Sequence, residues 1–516
     1  MEKKSMTLDY NEYVRTAVQA SAEGIVLLRN EGGALPLEEG TKVSVFGRIQ
    51  LHYYRSGTGS GGMVNVRKVT GITDALLEDP AVEVNRELLE LYTRWEAKHP
   101  FIAGEGWGTE PWSQEEMPLT DEVCRRAAEV SDAAIVVIGR TAGEDRDNVD
   151  QPGAYRLSET EYEMLKLVRN SFDRMIVLLN TGGLIDLGFC DDITPDALAY
   201  VWQGGMLGGL GAADVLTGRV SPSGHLTDTI AVNIEDYPSD PYFGGEVRNV
   251  YTEDIYVGYR YFETAAKDKV RYPFGYGLTY TSFDMKASEA ETIRTENDGE
   301  NISIKFDVKV TNTGCRPGRQ VIQVYVKAPE GMLGKPERVL AAFAKTAELR
   351  PEDEEVLSFN IPGYDFASFD DTGRSGYSYS WVLEKGTYEV YAGGNVRDAQ
   401  MVGSFALPET ICLESCSAAM MPEGQLYRMA GINDTGHMTY ETLEHPEERM
   451  YTWRSFEELD KNGRQDLKLK DVADGKCTLE EYVAGFSDED LMAIARRRNG
   501  ICQSYTGYGS GIRWSN

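Results

Sequence analysis

The side chain best suited to proton-transfer chemistry is Glu144, which lies in a charged loop directly after an apolar run ending at Ile138. A carboxyl group just beyond a parallel strand stands where open α/β sheets usually hold ligands, and it can act as a general acid or base. Gly143 permits an unusual backbone turn beside it. Three charged neighbours can form ion pairs that fix the loop: Asp145, Arg146 and Asp147. A loop glutamate is otherwise a solvated side chain, so type and position alone leave both interpretations open.

Other polar residues are weaker candidates for a functional site. Arg55 and Ser56 precede a glycine-rich turn at residues 57–61 and can line a site, although a purely structural turn is the alternative. Cys412 and Cys416 are four residues apart, but no second Cys or His pair has zinc-like spacing. Residues 460–463 resemble a calcium loop only superficially, because the glycine comes two positions early. We therefore expect no metal site and no cofactor.

The elements that position these residues follow from hydrophobic patterning. Four runs are apolar on both faces, as parallel strands covered by helices must be: residues 42–47, 133–139, 175–180 and 198–202. A capping box at residues 158–161 opens a helix between the second run and the third. Strand, helix and strand at this spacing predict βαβ units. The first 240 residues are thus expected to form an α/β sandwich, a mostly parallel sheet with helices on both faces.

The period changes to two after residue 300, where short alternating runs are separated by turn signals. The runs are residues 302–310, 321–326, 357–361 and 387–392. They predict an all-β sandwich at residues 301–408, joined to the first domain by a strap at residues 241–300. Residues 409–516 are expected to be a linker followed by a short helical tail, in which a capping box at Thr478 opens a helix through Phe486 and Ser487 caps a second helix.

Bulk composition limits the possible partners. The 516 residues carry a formal net charge of −31, which disfavours nucleic acid. No apolar run approaches the roughly 20 residues that span a bilayer, and no apolar signal segment follows the N-terminus, so no membrane partner is expected. The seven cysteines are scattered and read as reduced thiols. These features favour a cytoplasmic protein.

Several motifs, in this order along the chain, resemble glycoside hydrolase family 3. They are residues 20–30 with Leu35-Pro36-Leu37, the turn 57–61, the loop 139–148, the segments 201–205, 214–218 and 222–226, and the strap segments 251–261 and 273–280. The resemblance implies an α/β sandwich followed by a fibronectin-III-like domain, in members whose catalytic barrel comes last. Residues 475–482 and 509–513 look like the start of that barrel half. The resemblance implies that the roughly 250 residues of the barrel, and with them the nucleophile, are missing.

The resemblance also implies a function, a β-glucosidase that hydrolyses terminal non-reducing β-D-glucosyl residues with retention. Glu144 would be its acid/base residue, while Arg55, Trp107 and Trp112 would contact the sugar. Loop tryptophans are otherwise packing anchors. The substrate would be a small β-glucoside or oligosaccharide. A separate barrel-bearing chain or a homo-oligomer is a possible partner. The alternative from another class is a non-catalytic module that binds carbohydrate or docks onto a separate barrel protein.

Overall fold

The apolar runs of the first 240 residues form one six-stranded sheet in the computed structural model of the chain. The strands are β1 (Val26–Asn30), β2 (Thr41–Phe46), β3 (Val82–Val84), β4 (Ala133–Arg140), β5 (Met175–Thr181) and β6 (Ala197–Tyr200). Their order is β1-β6-β5-β4-β2-β3, and only β1 runs antiparallel to its neighbour. Every residue of β4 and β5 is buried. The predicted mostly parallel sheet is confirmed.

Helices cover both faces of this sheet. They are α1 (Tyr10–Gly24), α2 (Ile72–Glu78), α3 (Arg86–Glu96), α4 (Asp121–Ala128), α5 (Glu159–Ser171), α6 (Phe189–Asp192) and α7 (Gly208–Leu216). Side chains of α1, α2 and α7 join one apolar cluster, and those of α3 to α6 join another. The predicted capping box opens α5, because Ser158 Oγ accepts from the Glu161 amide and Glu161 Oε2 accepts from the Ser158 amide.

The structure describes residues 9–59, 62, 64–106, 108–144, 146–245, 247, 249–294, 302–417, 424–444 and 463–495. The chain has two compact units, residues 1–447 and residues 448–516. Among the helices within the described ranges, none has the length and apolar character required to cross a bilayer.

The strap is built against the first strand of the sheet. It contains α8 (Tyr259–Ala265), and its strand β8 (Val270–Tyr272) pairs with β7 (Ile230–Ala231). The Leu278 amide donates to the Leu27 carbonyl of β1 at 2.8 Å. The backbone of the strap therefore continues the hydrogen bonding of the first domain.

An antiparallel sandwich follows, as predicted, although its first two strands lie within residues 241–300, which were assigned to the strap. Its strands are β9 (Phe283–Ala287), β10 (Glu291–Arg294), β11 (Ile302–Asn312), β12 (Val321–Lys327), β13 (Val339–Lys345), β14 (Glu354–Pro362), β15 (Ser368–Asp370), β16 (Ser380–Leu383), β17 (Gly386–Gly393), β18 (Gln400–Leu407) and β19 (Ile411–Ser415). One sheet holds β9, β10, β11 and β14, and a second has the order β13-β12-β17-β18. Buried alternate residues of β11 contribute to the core between them. Glu23 of α1 joins the sandwich to the first domain, since it pairs with Lys345 at 2.7 Å and Arg319 at 3.1 Å.

The segment expected to be a linker contains more regular structure than its weak periodicity suggested. Strand β19 extends the small sheet of β15 and β16, and a hairpin follows from β20 (Gln425–Ile432) and β21 (Met438–Glu444). In the second unit, helices α9 (Leu469–Ala473), α10 (Leu479–Val483) and α11 (Asp488–Ala495) are described. The Thr478 cap is confirmed, although α10 ends at Val483 rather than at Phe486. Ser487 Oγ accepts from the Asp490 amide at 3.1 Å, as its cap predicted.

One arginine ties the hairpin to the rest of the first unit. The guanidinium of Arg428 lies 3.0 Å from Asp254 of the strap, 2.6 Å from Asp371 and 3.0 Å from Glu441 of β21. Its side chain is only 11% exposed. Three segments distant in sequence thus share one largely shielded cation.

Candidate functional site

Glu144 lies at the edge of the sheet where the strand order reverses. From β2 the chain moves outward to β3, whereas from β4 it moves in the opposite direction to β5, so the C-terminal ends of β2 and β4 flank the switch point. Open α/β sheets bind ligands in the crevice at this place. The loop after β4 carries Glu144, which is exposed. The predicted location at a ligand-binding edge agrees with this topology.

The loop after β2 holds the backbone on one side of Glu144. The Thr58 amide donates to the Ala142 carbonyl at 2.8 Å, and Thr58 forms a parallel bridge with Gly143. Gly143 has φ 137°, and a Cβ there would lie 2.2 Å from the Thr58 carbonyl oxygen. At Gly57 an added Cβ would lie 1.9 Å from the Ala142 oxygen. The approach therefore requires glycine at both positions, and the unusual turn predicted at Gly143 is confirmed.

The side chain of Glu144 itself packs over a third glycine. A Cβ added to Gly59 would lie 2.5 Å from Glu144 Cβ and 3.2 Å from its Oε2. Gly59 has φ 90°, a conformation that L side chains rarely adopt. Gly59 of the glycine-rich turn therefore packs directly against the side chain of the candidate acid/base residue.

The opposite side of the loop rests on residues 110–112. The Thr141 amide donates to the Trp112 carbonyl at 2.8 Å, and Thr141 Oγ1 donates to Glu110 Oε2 at 3.3 Å. Beyond Glu144, the guanidinium carbon of Arg146 lies 4.4 Å from the centre of the Trp112 ring. Trp112 Nε1 donates to the Asp147 carbonyl at 3.1 Å. Residues 110–112 thus touch the loop both before and after Glu144.

Glu110 is the titratable group of this segment with a displaced pKa. Burial raises the pKa of the Glu110 carboxyl above its ordinary value, while the hydrogen bond from Thr141 and the positive charge of Arg146 lower it. Burial is the largest of these effects. The carboxyl group is therefore held in a partly dry environment beside the loop.

A buried ion pair anchors the base of the loop. Arg140, the last residue of β4, binds Glu161 of α5 through two hydrogen bonds of 2.6 and 2.7 Å, and both side chains are at most 5% exposed. The same guanidinium donates to the carbonyls of Ala154 and Arg156 at the end of the loop. Because one arginine binds both ends, the loop is closed at its base.

A cavity of about 580 Å³ borders the loop on the side of residues 146–150. Aromatic rings form much of its wall, and carboxylates occur along it. Residues that line it include Trp112, Tyr155, Tyr237, Phe243, Asp147 and Asp150. This volume is within the range of small-molecule sites.

The remaining predicted residues have mixed placements. The Arg55 carbonyl accepts from the Gly205 amide at 2.9 Å, and the Arg55 and Ser56 side chains are half-buried at the same edge of the sheet. Trp107 lies outside the described residues. One face of Trp112 is covered by Arg146, so its predicted contact with a sugar concerns the remainder of the ring. Trp202, at the end of the apolar run 198–202, is half-buried and stacks on Tyr200 with ring centres 4.4 Å apart.

Sequence reasoning missed Glu110 and Arg140 as parts of the site. Arg140 stands inside the loop motif, but nothing local indicated that its charge is buried against α5. Glu110 lies in a Gly/Pro-rich stretch, and the one signal for it was the adjacent tryptophan at position 112. Their roles depend on contacts 21 and 31 residues away in sequence.

Comparison with known proteins agrees with this architecture. Residues 25–280 match the glycosyl hydrolase family 3 C-terminal domain, and residues 320–396 match the fibronectin type III-like domain. A β-glucosidase of Ruminococcus albus is 47% identical over 506 residues, covering 96% of this chain and 51% of that protein. The chain belongs to glycosyl hydrolase family 3, of which it carries these two domains.

Solved structures support the same assignment. The crystal structure of a β-glucosidase from Paenibacillus barengoltzii matches 95% of this chain and 54% of that one, with 45% identity and a TM-score of 0.88. β-Glucosidase 3B from Thermotoga neapolitana in complex with glucose matches 79% and 55%, with 35% identity and a TM-score of 0.70. The chain spans about half the length of several curated relatives it matches.

Proposed function

We propose that this chain supplies the acid/base half of a retaining β-glucosidase, with Glu144 as the acid/base residue. The observation that carries the proposal is the position of Glu144 at the topological switch point, where glycines at 57, 59 and 143 bring two loops together beneath its carboxylate. A proton donor must lie within hydrogen-bond reach of the substrate, and an exposed carboxylate on a braced loop satisfies that need. We propose that the nucleophile comes from the barrel that the family resemblance implies, since the described residues form no such barrel.

The proposed chemistry uses two carboxyl groups about 5 Å apart. The barrel carboxylate attacks the anomeric carbon, while protonated Glu144 gives its proton to the glycosidic oxygen as that bond breaks. In the second step Glu144, now ionised, takes a proton from the water that attacks the glycosyl–enzyme ester, and the ester carboxylate leaves. Glu144 ends each cycle protonated, as it began.

The relatives suggest the substrate class. Several are β-glucosidases, and the Thermotoga neapolitana structure holds glucose. We therefore propose terminal non-reducing β-D-glucosyl residues as the glycone. The aromatic cavity beside residues 146–150 offers space for the leaving group. Cysteines that are scattered along the chain support a cytoplasmic location.

The decisive experiment pairs this chain with the part of a relative that lies outside the match. The part of the Ruminococcus albus relative outside the match is produced separately and mixed with this chain, and hydrolysis of a chromogenic β-glucoside is followed. We expect near-background turnover from this chain alone and clear turnover from the mixture, since loss of a nucleophile typically costs several orders of magnitude. Strong activity of the chain alone, abolished by Glu144→Gln, would refute the proposal that the nucleophile comes from a separate barrel.

Acid/base catalysis has its own signature. In the mixture, Glu144→Gln should lower kcat/KM by about 100-fold or more for glycosides with poor leaving groups, but lower kcat/KM for dinitrophenyl glucoside much less, because that leaving group needs no protonation. Azide should restore turnover of the dinitrophenyl glucoside by Glu144→Gln and give the β-glucosyl azide. Glu129→Gln, at another exposed glutamate, is the matched control and should behave like the parent. Equal effects of the two substitutions would remove Glu144 from the mechanism.

The alternative is a non-catalytic module that binds carbohydrate or docks onto a barrel protein. The aromatic cavity favours this alternative, because a module that only binds carbohydrate needs a cavity of this kind but needs no nucleophile. An inactive mixture, together with cellobiose binding to the chain measured by titration calorimetry, would support this alternative over the enzyme.

A further inference from the structure

The loop that carries Glu144 is held between two segments with different functions in the fold. Residues 57–59 approach it from below through backbone contacts that require glycine. Residues 110–112 approach it from the other side and use side chains as well as backbone. The contacts of residues 110–112 fall three residues before Glu144, at Thr141, and two and three residues after it, at Arg146 and Asp147.

We propose that Glu110 and Trp112 are positioning residues for Glu144, and that they act by clamping both flanks of its loop. The inference rests on the proposed role of Glu144 and deepens it. Neither side chain needs to touch substrate for this role. Catalysis is sensitive to small displacements of a reacting group, so a loop with a solvent-exposed tip requires such restraints.

Trp112 makes two contacts that a smaller residue would lose. Its indole N–H donates to the Asp147 carbonyl at 3.1 Å, and its ring lies 4.4 Å from the guanidinium carbon of Arg146. Arg146 in turn donates its amide to the Gly143 carbonyl at 3.0 Å, which closes the turn around Glu144. The indole therefore fixes the turn through both an aromatic face and a hydrogen bond.

Glu110 supplies the charge that complements Arg146. Its carboxylate accepts from the Thr141 hydroxyl, and although burial raises the pKa of this carboxyl overall, the positive charge of Arg146 is close enough to oppose that rise. Arg146 Nε is buried and has no hydrogen-bond partner within the described ranges. The ring of Trp112 and the charge of Glu110 are thus two parts of the environment of this guanidinium.

Hydrogen exchange of the full chain, read by mass spectrometry or NMR, tests the clamp without any activity. Trp112→Leu should raise exchange of the Thr141 and Arg146 amides at least tenfold and leave the amides of β4 and β5 unchanged. Arg146→Met should give the same pattern, and the double variant should add little, because both residues belong to one contact. Glu110→Ala should raise exchange at Thr141 most.

Conservative variants and a matched tryptophan separate positioning from general stability. Trp112→Phe and Arg146→Lys keep a ring and a cation, and each should restore at least part of the lost protection. Trp95→Leu is the control, since Arg48 lies 5.3 Å over that ring, which belongs to α3 and not to the loop of Glu144. Unchanged exchange at Thr141 and Arg146 in both Trp112→Leu and Arg146→Met, or an equal rise in Trp95→Leu, would overturn the proposal.

The kinetic readout distinguishes a clamp from a sugar platform. In an active mixture with the remaining part of the relative, Trp112→Leu should lower kcat about tenfold and change KM less than twofold, whereas loss of a stacking surface would chiefly raise KM. A dominant rise in KM would therefore reject the clamp. If the mixture is inactive, the proposed function fails, but the exchange pattern still decides whether residues 110–112 hold the loop.

Discussion

Gly59 and Glu144 lie so close together that a β-carbon on the glycine would stand 2.5 Å from the β-carbon of the glutamate. The observed position of the Glu144 side chain therefore requires a residue without a β-carbon at position 59. A methyl group there must push away either the glutamate or its own loop.

Gly59→Ala is expected to lower stability and to displace Glu144. The φ of 90° alone costs roughly 1–3 kcal/mol for a residue with a Cβ, and the overlap with Glu144 adds to that cost. Urea unfolding measures the loss. Gly40→Ala is the matched control, because Gly40 has φ 84° and no atom near the position of an added Cβ. Equal losses in the two variants would show that Glu144 simply moves aside.

Arg140→Met should destabilise the first unit by about 3–5 kcal/mol. The substitution leaves the Glu161 carboxylate buried without its cation, at 5% exposure. Lys309→Met removes one partner of an exposed pair with Glu354, whose side chains are 43% and 57% exposed, and should cost about 0–1 kcal/mol. The two urea midpoints provide the comparison, and similar shifts would contradict the anchoring role of Arg140.

Glu116 should make stability depend on pH. Burial raises the pKa of this carboxyl from its ordinary 4.5 to about 8. A raised folded-state pKa gives stability that is fully present below the ordinary value and is lost as pH rises through about 8. Between pH 4.5 and about 8, the free energy of unfolding should fall by at most roughly 1.4 kcal/mol per pH unit. Unfolding between pH 4.5 and 9 measures it.

The matching variant is Glu116→Gln, which should flatten this slope. The amide keeps only one acceptor for the Arg48 and Met117 amides, so the variant should also be less stable at low pH. Glu39→Gln, at an exposed glutamate, should leave the slope as it is. A parent slope that Glu116→Gln does not alter would assign the pH dependence to other groups.

Arg428→Met should release the hairpin of β20 and β21. The carboxylates of Asp254, Asp371 and Glu441 would then face one another without a shared cation, and their repulsion adds to the lost hydrogen bonds. Limited proteolysis should cut within residues 424–444 several-fold faster than in the parent. Arg374→Met removes a single, more exposed contact to Glu441 and should change the rate little.

Local patterning was enough to predict the elements around the site but not their partners. The apolar run at residues 133–139 became β4, and the capping box at Ser158 opened α5. The hairpin at residues 425–444 was missed because few of its residues are buried, so its strands show weak alternation. Hydrophobic periodicity indicates which face of an element is buried, and it gives no information about faces that remain exposed to solvent.

The sequence by itself determined the main buried strands of the two domains, the capped helix that follows β4, the glycines that permit sharp turns and the carboxylate at position 144, because these depend on residues near one another in the chain. Only the tertiary structure decided that residues 57–59 and 110–112 meet on either side of that carboxylate, and that Arg140 is buried against Glu161. Contacts between residues tens of positions apart are chosen by the packing of the whole sheet and its helices, for which no short stretch of sequence holds a signal.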